Sequence, residues 1–172
     1  KDTIYASLTK HQKTAISIIR VSGSQTKIIL QKFLKKAVKP KEINLRNIYD
    51  SNGEFIDQGL ILFFSKPHSP TGEDVVEFHV HGSISIIKKI ELELDKIEYV
   101  REAEPGEFTK RSLQNDKIDL LQAEGLDDLL EASTETQRKR AQLAFMGSVS
   151  SKLFDWRDEL IEISSYLETS ID

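Results

Sequence analysis

Residues 71–82 read TGEDVVEFHVHG, and the alternation within this stretch sets the expected fold. Glu77, His79 and His81 occupy every second position. Successive side chains of a β-strand point to opposite faces of the sheet, so in a strand these three share one face. A carboxylate with two imidazoles fits a metal site, a catalytic or ligand-binding group, or a polar face whose members hydrogen-bond each other.

The metal interpretation of this face is the weakest of the three. A His-x-His pair on one strand can ligate zinc when a neighbouring strand supplies a third ligand. Glu77 and His81 lie roughly 13 Å apart along an extended strand, so they share one ion only with difficulty. The other two histidines, His11 and His68, fall in predicted loops. We therefore predict no metal site here.

Glu77 has a clearer chemical requirement than the histidines. A carboxylate in the middle of VVEFHV is costly to bury unless it accepts paired hydrogen-bond donors. A guanidinium presents two adjacent N–H groups, and so does the edge of an amino-pyrimidinone ring. The donors can belong to a structural salt bridge, with Arg20 on a neighbouring strand, or to a ligand. The residues alone leave both possibilities open.

The composition is that of an ordinary globular protein. The chain has 172 residues, 38% of them hydrophobic and 30% charged, and a net charge of -4. Its longest apolar run, residues 60–64, is far short of a membrane span, so we expect no membrane association. The absence of cysteine excludes disulfides, thiolate catalysis and cysteine-ligated zinc within this segment. The acidic balance argues against nucleic-acid binding over the whole surface, but not against a local basic patch.

The first half of the chain alternates strand and helix patterns. We predict strands at residues 3–8, 15–23, 44–49, 59–64, 75–81 and 99–104. One helix follows the second strand, and another has its apolar spacing over residues 86–94. These patterns predict a mixed sheet covered by helices, an α+β rather than a doubly wound fold.

Local signals give expected boundaries for the first helix and the hairpin. Ser22 and Gln25 match a capping box, which predicts where the helix begins. Pro40 is expected to end it. The Asn52-Gly53 pair predicts a type I′ turn between the third and fourth strands.

From about Glu107 the chain is rich in helical patterns and free of strand patterns. The last helix carries apolar residues spaced alternately four and three apart: Val149, Leu153, Trp156, Leu160, Ile163 and Leu167. Such a seam packs against another helix. We predict one preceding helix and a turn at Gly147, together a helical hairpin, and we expect this hairpin to be one segment of a larger helical domain.

Three stretches of this sequence together resemble one known family. They are DTIYA and AISIIRVSG within residues 2–23, SPTGEDVVEFHVHG in residues 69–82, and PGEFTKRSLQNDKIDLLQAEGLDDLLEA in residues 105–132. The third is the most specific, because its Pro-Gly-Glu-Phe, Asn-Asp-Lys and Gln-Ala-Glu motifs follow the family's order. On these motifs the chain resembles the N-terminal part of the MnmE (TrmE) family of tRNA-modification GTPases.

The resemblance implies two domains. Residues 1–117 would form a tetrahydrofolate-binding and dimerisation domain, similar in fold to the folate domain of aminomethyltransferases. Residues 118–172 would form the first part of a central helical domain. The family's GTPase domain, with its GTP, Mg²⁺ and potassium, is expected outside this chain, which contains no G-x-x-x-x-G-K-[ST] loop. We therefore expect no GTPase site in this segment.

The resemblance also implies a set of folate-binding residues. The family's arginine, glutamate and lysine correspond to Arg20, Glu77 and Lys117. A reduced pterin offers a 2-amino group and an adjacent ring N–H, which a carboxylate accepts in parallel. The glutamate tail of folate offers carboxylates to the two cations. The expected cofactor is 5-formyl-tetrahydrofolate or another reduced one-carbon folate.

The resemblance further implies a cytoplasmic homodimer that works with a flavin-dependent partner of the MnmG (GidA) type. Together they would install a carboxymethylaminomethyl-type group on the wobble uridine of tRNA, using a tetrahydrofolate one-carbon unit. One alternative is a dimerisation scaffold whose folate site has decayed. Another is a free-standing relative of the folate-dependent aminomethyltransferases, which the unfinished helical seam argues against.

Two departures from the family pattern motivate the scaffold alternative. Residues 9–15 read TKHQKTA where the family has a loop rich in proline and glycine, and Ser83 replaces a second glycine after Gly82. Lysine and glutamine resist backbone conformations that glycine permits. A further feature, the basic run LKKAVKPK at residues 34–41, is interpreted as a solvated helix end, with contact to tRNA phosphates as the alternative.

Overall fold

The computed structural model describes residues 2–9 and 14–171, so the central part of the altered loop at residues 9–15 lies outside the described residues. The chain divides into two compact units, residues 1–115 and residues 116–172. None of the described helices is long and apolar enough to cross a membrane. Each unit is described by itself below.

The first unit is built on one six-stranded mixed sheet. The strands are β1 (Thr3–Ser7), β2 (Ile16–Ser22), β3 (Ile43–Tyr49), β4 (Phe55–Phe64), β5 (Val75–His81) and β6 (Val100–Glu102). Their order across the sheet is β3-β4-β5-β2-β1-β6, and β1 with β6 is the parallel pair. The predicted α+β fold with a mixed sheet is therefore confirmed, and all six predicted strands are present.

Strict alternation along the central strands places the hydrophobic core on one face of the sheet. On β5, Val76, Phe78 and Val80 are buried on that face, and Ile61 of β4 and Ile19 of β2 join them. Two helices cover this face, α1 (Thr26–Phe33) and α2 (Ile84–Asp95). Their buried apolar residues are spaced three or four apart, as the sequence predicted: Ile29, Leu30, Phe33, Ile87, Ile90 and Leu94.

Both predicted boundaries of α1 are wrong. Ser22 does not cap the helix, because its hydroxyl bonds to Thr71 Oγ1 and Glu73 Oε2, each at 2.7 Å. The N-cap is Gln25, whose backbone N–H donates to a side chain of β1. The helix ends at Phe33, well before Pro40, so the basic run at residues 34–41 is an extended connection rather than a helix end.

The predicted hairpin between β3 and β4 is present, but its turn is not type I′. That turn needs a positive φ at both central residues, and here only Gly53 has one, at 83°. The Asp50 carboxylate accepts the backbone N–H groups of Asn52 and Glu54, each at 2.9 Å, and the Gly53 N–H donates to the Asp50 carbonyl at 3.0 Å. This aspartate therefore organises the turn in place of the Asn-Gly pair.

The second unit contains one helix more than the sequence predicted. Its helices are α4 (Leu120–Glu131), α5 (Glu135–Phe145) and α6 (Ser148–Ile171). The single helix expected before Gly147 is two, because Thr134 and Gln137 form a capping box that begins α5. The tight approach of α4 to the end of α5 needs Gly125, where a Cβ would lie 2.5 Å from the Phe145 nitrogen.

The apolar seam of α6 is present on one helix, but this unit does not bury it. Each of its six members, from Val149 to Leu167, is between 42% and 64% exposed. The predicted packing of this seam against a neighbouring helix is therefore not seen within residues 116–169.

Phe78 gives a direct test of the core. It is fully buried and packs against Phe33 with ring centroids 5.7 Å apart. We expect Phe78→Ala to lower the free energy of unfolding by about 3–5 kcal/mol. The matched variant Phe55→Ala removes a ring that is 60% exposed, and it should cost less than about 1.5 kcal/mol. Urea denaturation of both variants measures the difference, and equal costs would contradict this assignment of the core.

Candidate functional site

Arg20 and Glu77 face each other directly across β2 and β5. The guanidinium donates to Glu77 Oε1 from Nε at 2.8 Å, and its Nη2 lies 2.7 Å from the same oxygen. The Glu77 side chain is 12% exposed and the Arg20 side chain 28%. The paired donors that a carboxylate at this position requires are therefore supplied by the protein itself, as the salt-bridge interpretation predicted.

The second oxygen of Glu77 is also engaged. His79 Nε2 lies 3.1 Å from Oε2, two residues along the same strand. A carboxylate offers about four lone-pair positions, so the three contacts to Arg20 and His79 leave about one of them free. The site can take one further donor as it stands, and a second one when His79 turns away.

The second histidine of this strand belongs to a different cluster. His81 Nδ1 lies 2.9 Å from Asp57 Oδ1, and the His81 backbone N–H donates to Asp57 Oδ2 at 2.9 Å. Asp57 is buried in β4, whereas the His81 side chain is 71% exposed. Within residues 2–9 and 14–171 no three histidine, cysteine, aspartate or glutamate residues are grouped as metal ligands.

The charged pair lies on the open face of the sheet, opposite the core. In cross-strand register, Glu77 stands between Arg20 and Leu62, and His79 stands between Ile18 and Leu60. The apolar residues most exposed on this face are Ile16 at 60%, Ile43 at 75%, Leu45 at 56% and Leu60 at 41%. One carboxylate and one guanidinium are thus set in apolar surroundings, a surface that suits a flat polar ring or another protein.

A third helix, α3 (Glu107–Gln114), supplies an aromatic neighbour to this pair. It begins at Gly106, which has φ 74° and the left-handed conformation that glycine adopts readily. The ring of Phe108 lies 5.7 Å from the Arg20 guanidinium carbon, close enough for a cation–π contact. The Arg20 guanidinium therefore contacts both the Glu77 carboxylate and the Phe108 ring.

Buried ion pairs anchor α3 to the sheet and to the loop before β5. Arg111 is 5% exposed and donates to Glu73 Oε2 and to Glu107 Oε1, each at 3.0 Å. Arg101 at the end of the sheet donates to both oxygens of Glu107, at 2.7 and 2.9 Å. The hydrogen bonds from Arg101 hold the pKa of Glu107 at about 2, although burial opposes them.

Two more contacts join this helix to the loop. Ser112 Oγ donates to the Pro70 carbonyl at 2.9 Å, and Asn115 Nδ2 donates to the Thr71 carbonyl at 2.7 Å. The stretches SPTGED and PGEF…N, which were distinctive in the sequence, thus meet in space. No role was predicted for Glu73 or Arg111. Glu107 and Arg111 are four residues apart on a helix, and this spacing could have predicted their ion pair.

The three predicted folate-binding residues divide between the units. Arg20 and Glu77 lie in contact in the first unit. Lys117 is exposed at the beginning of the second unit, just after Asp116, which has a positive φ of 53°. The assignment of these three residues to folate stays a prediction.

Comparison with known proteins matches both units of this chain. The family model described as the N-terminus of the GTP-binding protein TrmE matches residues 3–117. The model described as the MnmE helical domain matches residues 120–172. The two matches define a class of protein in which an α+β N-terminal domain is followed by a helical domain. The chain belongs to the TrmE/MnmE family, as its motifs predicted.

Individual relatives are similar over the full length of the chain. The tRNA modification GTPase MnmE of Rhodopseudomonas palustris (strain BisB18) is 38% identical over 172 residues, and that of Dinoroseobacter shibae is 42% identical over 171. The mitochondrial tRNA modification GTPase gtpbp3 of Dictyostelium discoideum is 42% identical over 180 residues. These matches cover 99–100% of this chain but only 40%, 38% and 35% of the Dinoroseobacter, Rhodopseudomonas and Dictyostelium proteins.

The pKa of Glu107 gives a pH-dependent test of the ion pairs. A carboxyl whose pKa is lower in the folded state stabilises the fold above its unfolded pKa of 4.5, and that contribution is lost as the pH falls towards about 2. Glu107→Gln should lower the free energy of unfolding at pH 7 by up to about 3 kcal/mol, and by less at pH 3. Urea denaturation at the two pH values measures this.

Glu104→Gln is the control for this prediction. It removes an exposed carboxylate three residues away, so its small effect should be the same at both pH values. A cost of Glu107→Gln that stays constant between pH 7 and pH 3 would contradict the role of the ionised carboxylate.

Proposed function

We propose that this chain is the folate-binding segment of a tRNA-modification GTPase, with Arg20 and Glu77 as the centre of the folate site. The observation that carries the proposal is the Arg20–Glu77 pair on the open, largely apolar face of the sheet. A charged pair that is partly shielded from water and set among apolar side chains has the polarity of a small-molecule site. The same two residues are those that the family resemblance assigns to folate.

The chemistry of the pair fits a reduced pterin. The 2-amino group and ring N–H of the pterin need two acceptor positions on Glu77, and His79 occupies one of them in this structure. Rotation of His79 away from Oε2 would make room for both donors, so His79 is the residue we expect to move on binding. Arg20 would hold the carboxylate in the orientation that the pterin donors require.

The ring and tail of folate have further partners in the proposal. Ile18, Leu60 and Leu62 offer apolar contact to a flat ring beside Glu77. The tail carboxylates need cations, for which the family resemblance names Arg20 and Lys117. The one-carbon unit would be carried by the folate itself, most simply as 5-formyl-tetrahydrofolate.

The whole protein would be a homodimer. The exposed residues Ile16, Ile43, Leu45 and Leu60 share the open face of the sheet, and contiguous apolar exposure of this kind marks protein interfaces. Two such faces in contact would bury these residues and would enclose the folate sites beside them.

The activity of the whole protein is proposed from its relatives. Their names, tRNA modification GTPases, support GTP hydrolysis by the parent, with GTP, Mg²⁺ and potassium bound in a domain outside this chain. The reaction we propose is installation of a carboxymethylaminomethyl-type group on the wobble uridine of tRNA, in the cytoplasm. A flavin-dependent partner of the MnmG type would perform the redox step.

A second candidate function is that of a dimerisation scaffold without folate. It is favoured by the same pair, because Arg20 and His79 already satisfy both oxygens of Glu77. On this interpretation the pair only joins β2 to β5, and the altered loop at residues 9–15 reflects a site that no longer binds.

Titration calorimetry with 5-formyl-tetrahydrofolate tests the folate proposal. The chain should bind saturably, and Glu77→Gln should weaken binding about 10- to 100-fold, because hydrogen bonds to a charged group contribute about 1.5–3 kcal/mol. Light scattering of the same sample establishes whether the chain is a dimer, and thermal denaturation establishes that the variant is folded.

Glu98→Gln is the matched control for this titration. It removes an exposed carboxylate from the same unit and should bind folate like the unchanged chain. Absence of heat from a folded dimer would overturn the folate proposal in favour of the scaffold. Binding that Glu77→Gln leaves intact would place the ligand elsewhere.

A further inference from the structure

Positive charge is concentrated in one short region of this acidic chain. Residues 27–46 contain six lysines and Arg46, with Glu42 as their single acid, so the region carries a net charge of +6 while the whole chain carries -4. These residues form nearly all of α1, the connection after it, and most of edge strand β3. The chain can therefore carry a local basic surface although its net charge is negative.

Five cations of this region have no carboxylate partner among the described residues: Lys32, Lys35, Lys36, Lys41 and Arg46. All of them except Lys41 line one or more neighbouring clefts, and these four are called the basic surface. Lys35 is held with its ammonium 3.8 Å from the ring centroid of Tyr49. The Arg46 guanidinium bonds only to neutral oxygens, among them Asn44 Oδ1 at 3.0 Å and the Ala37 carbonyl at 3.2 Å.

Two acids that line one of these clefts are already paired with lysines outside the basic surface. Asp50 and Glu93 are buried, and Lys89 lies 2.8 Å from one and 3.5 Å from the other. Lys96 donates to Glu93 at 2.6 Å. Burial opposes ionisation of Glu93, yet hydrogen bonds from Lys96 and Ser51 hold its pKa at about 2. These carboxylates therefore stay ionised and paired, and they do not compensate the charge of the basic surface.

Three clefts converge on the basic surface. Their volumes are about 440, 400 and 270 Å³, and Lys35 lines all of them. Tyr49 lines the first and third, and Lys36 the second and third. The charges thus line concave surfaces, with an aromatic ring beside them.

We propose that the basic surface binds the phosphate backbone of an RNA. Several uncompensated cations around clefts suit a strand whose phosphates recur regularly, and each contact releases a counterion from the RNA. A flat lipid surface would not enter these clefts. The choice of RNA over an acidic protein rests on the proposed function, in which tRNA is the substrate of the parent.

Fluorescence anisotropy with a labelled, unmodified tRNA transcript tests this proposal. The chain should bind the transcript, and the variant Lys32→Gln/Lys35→Gln/Lys36→Gln should bind about tenfold or more weakly at about 50 mM salt. The slope of log K against log salt concentration should fall by about two to three, because each lysine that contacts a phosphate contributes about one.

The control variant Lys88→Gln/Lys110→Gln/Lys152→Gln removes the same charge from exposed lysines elsewhere. It should keep the affinity and the salt slope of the unchanged chain. Equal losses in both variants would overturn a localised site, and so would a chain that fails to bind the transcript at about 50 mM salt. Phosphatidylserine vesicles and polyglutamate are tested in parallel, and stronger lysine-dependent binding to either than to tRNA would overturn the choice of RNA.

Folate titration of both triple variants separates this inference from the proposed function. The three lysines lie outside the Arg20–Glu77 site, so folate binding should be unchanged. Loss of tRNA binding without loss of folate binding supports two distinct surfaces. If no protein binds folate while the lysine-dependent tRNA binding persists, the folate proposal alone fails.

Discussion

The first unit depends on one buried cation. Arg111 is 5% exposed, and a guanidinium removed from water in this way is tolerated only when carboxylates surround it. Its two partners come from different parts of the chain, Glu73 from the loop before β5 and Glu107 from the first turn of α3. Because Phe108 follows Glu107 and lies against Arg20, this ion pair also decides what covers the candidate site.

Local periodicity predicted the strands, because alternation records which face of a strand is buried. Local motifs failed where a side chain or backbone group had a competing partner. Ser22 looked like a helix cap, but Thr71, 49 residues away, holds its hydroxyl. Asn52 looked like half of a type I′ turn, but the Asp50 carboxylate organises that turn instead. The folded sheet brings Thr71 to Ser22, whereas the competing hydrogen bonds of Asp50 form within the turn itself.

Part of the candidate site was also predictable from the sequence. The position of Glu77 mid-strand required paired donors, and Arg20 was named among the possible sources; the register of β2 and β5 then placed the two side chains opposite each other. The polar-face interpretation foresaw hydrogen bonds between the histidines and their neighbours, and His79 does lie 3.1 Å from Glu77. The pairing of His81 with Asp57 was not foreseen, because it depends on which residue of β4 lies beside it in the folded sheet. Both proposed functions rest on the Arg20–Glu77 pair, and they differ in whether His79 moves.

Strand β3 is an edge of the sheet, and edges expose unpaired backbone groups to which another chain can add. With Ile43 and Leu45 more than half exposed, this edge has the composition of an aggregation-prone segment. Lys35 and Lys36, on the connection beside it, line the same cleft as Leu45. Two copies that added strand to strand through this edge, rather than packing through the open face, would bring these lysines together, and electrostatic repulsion opposes that pairing.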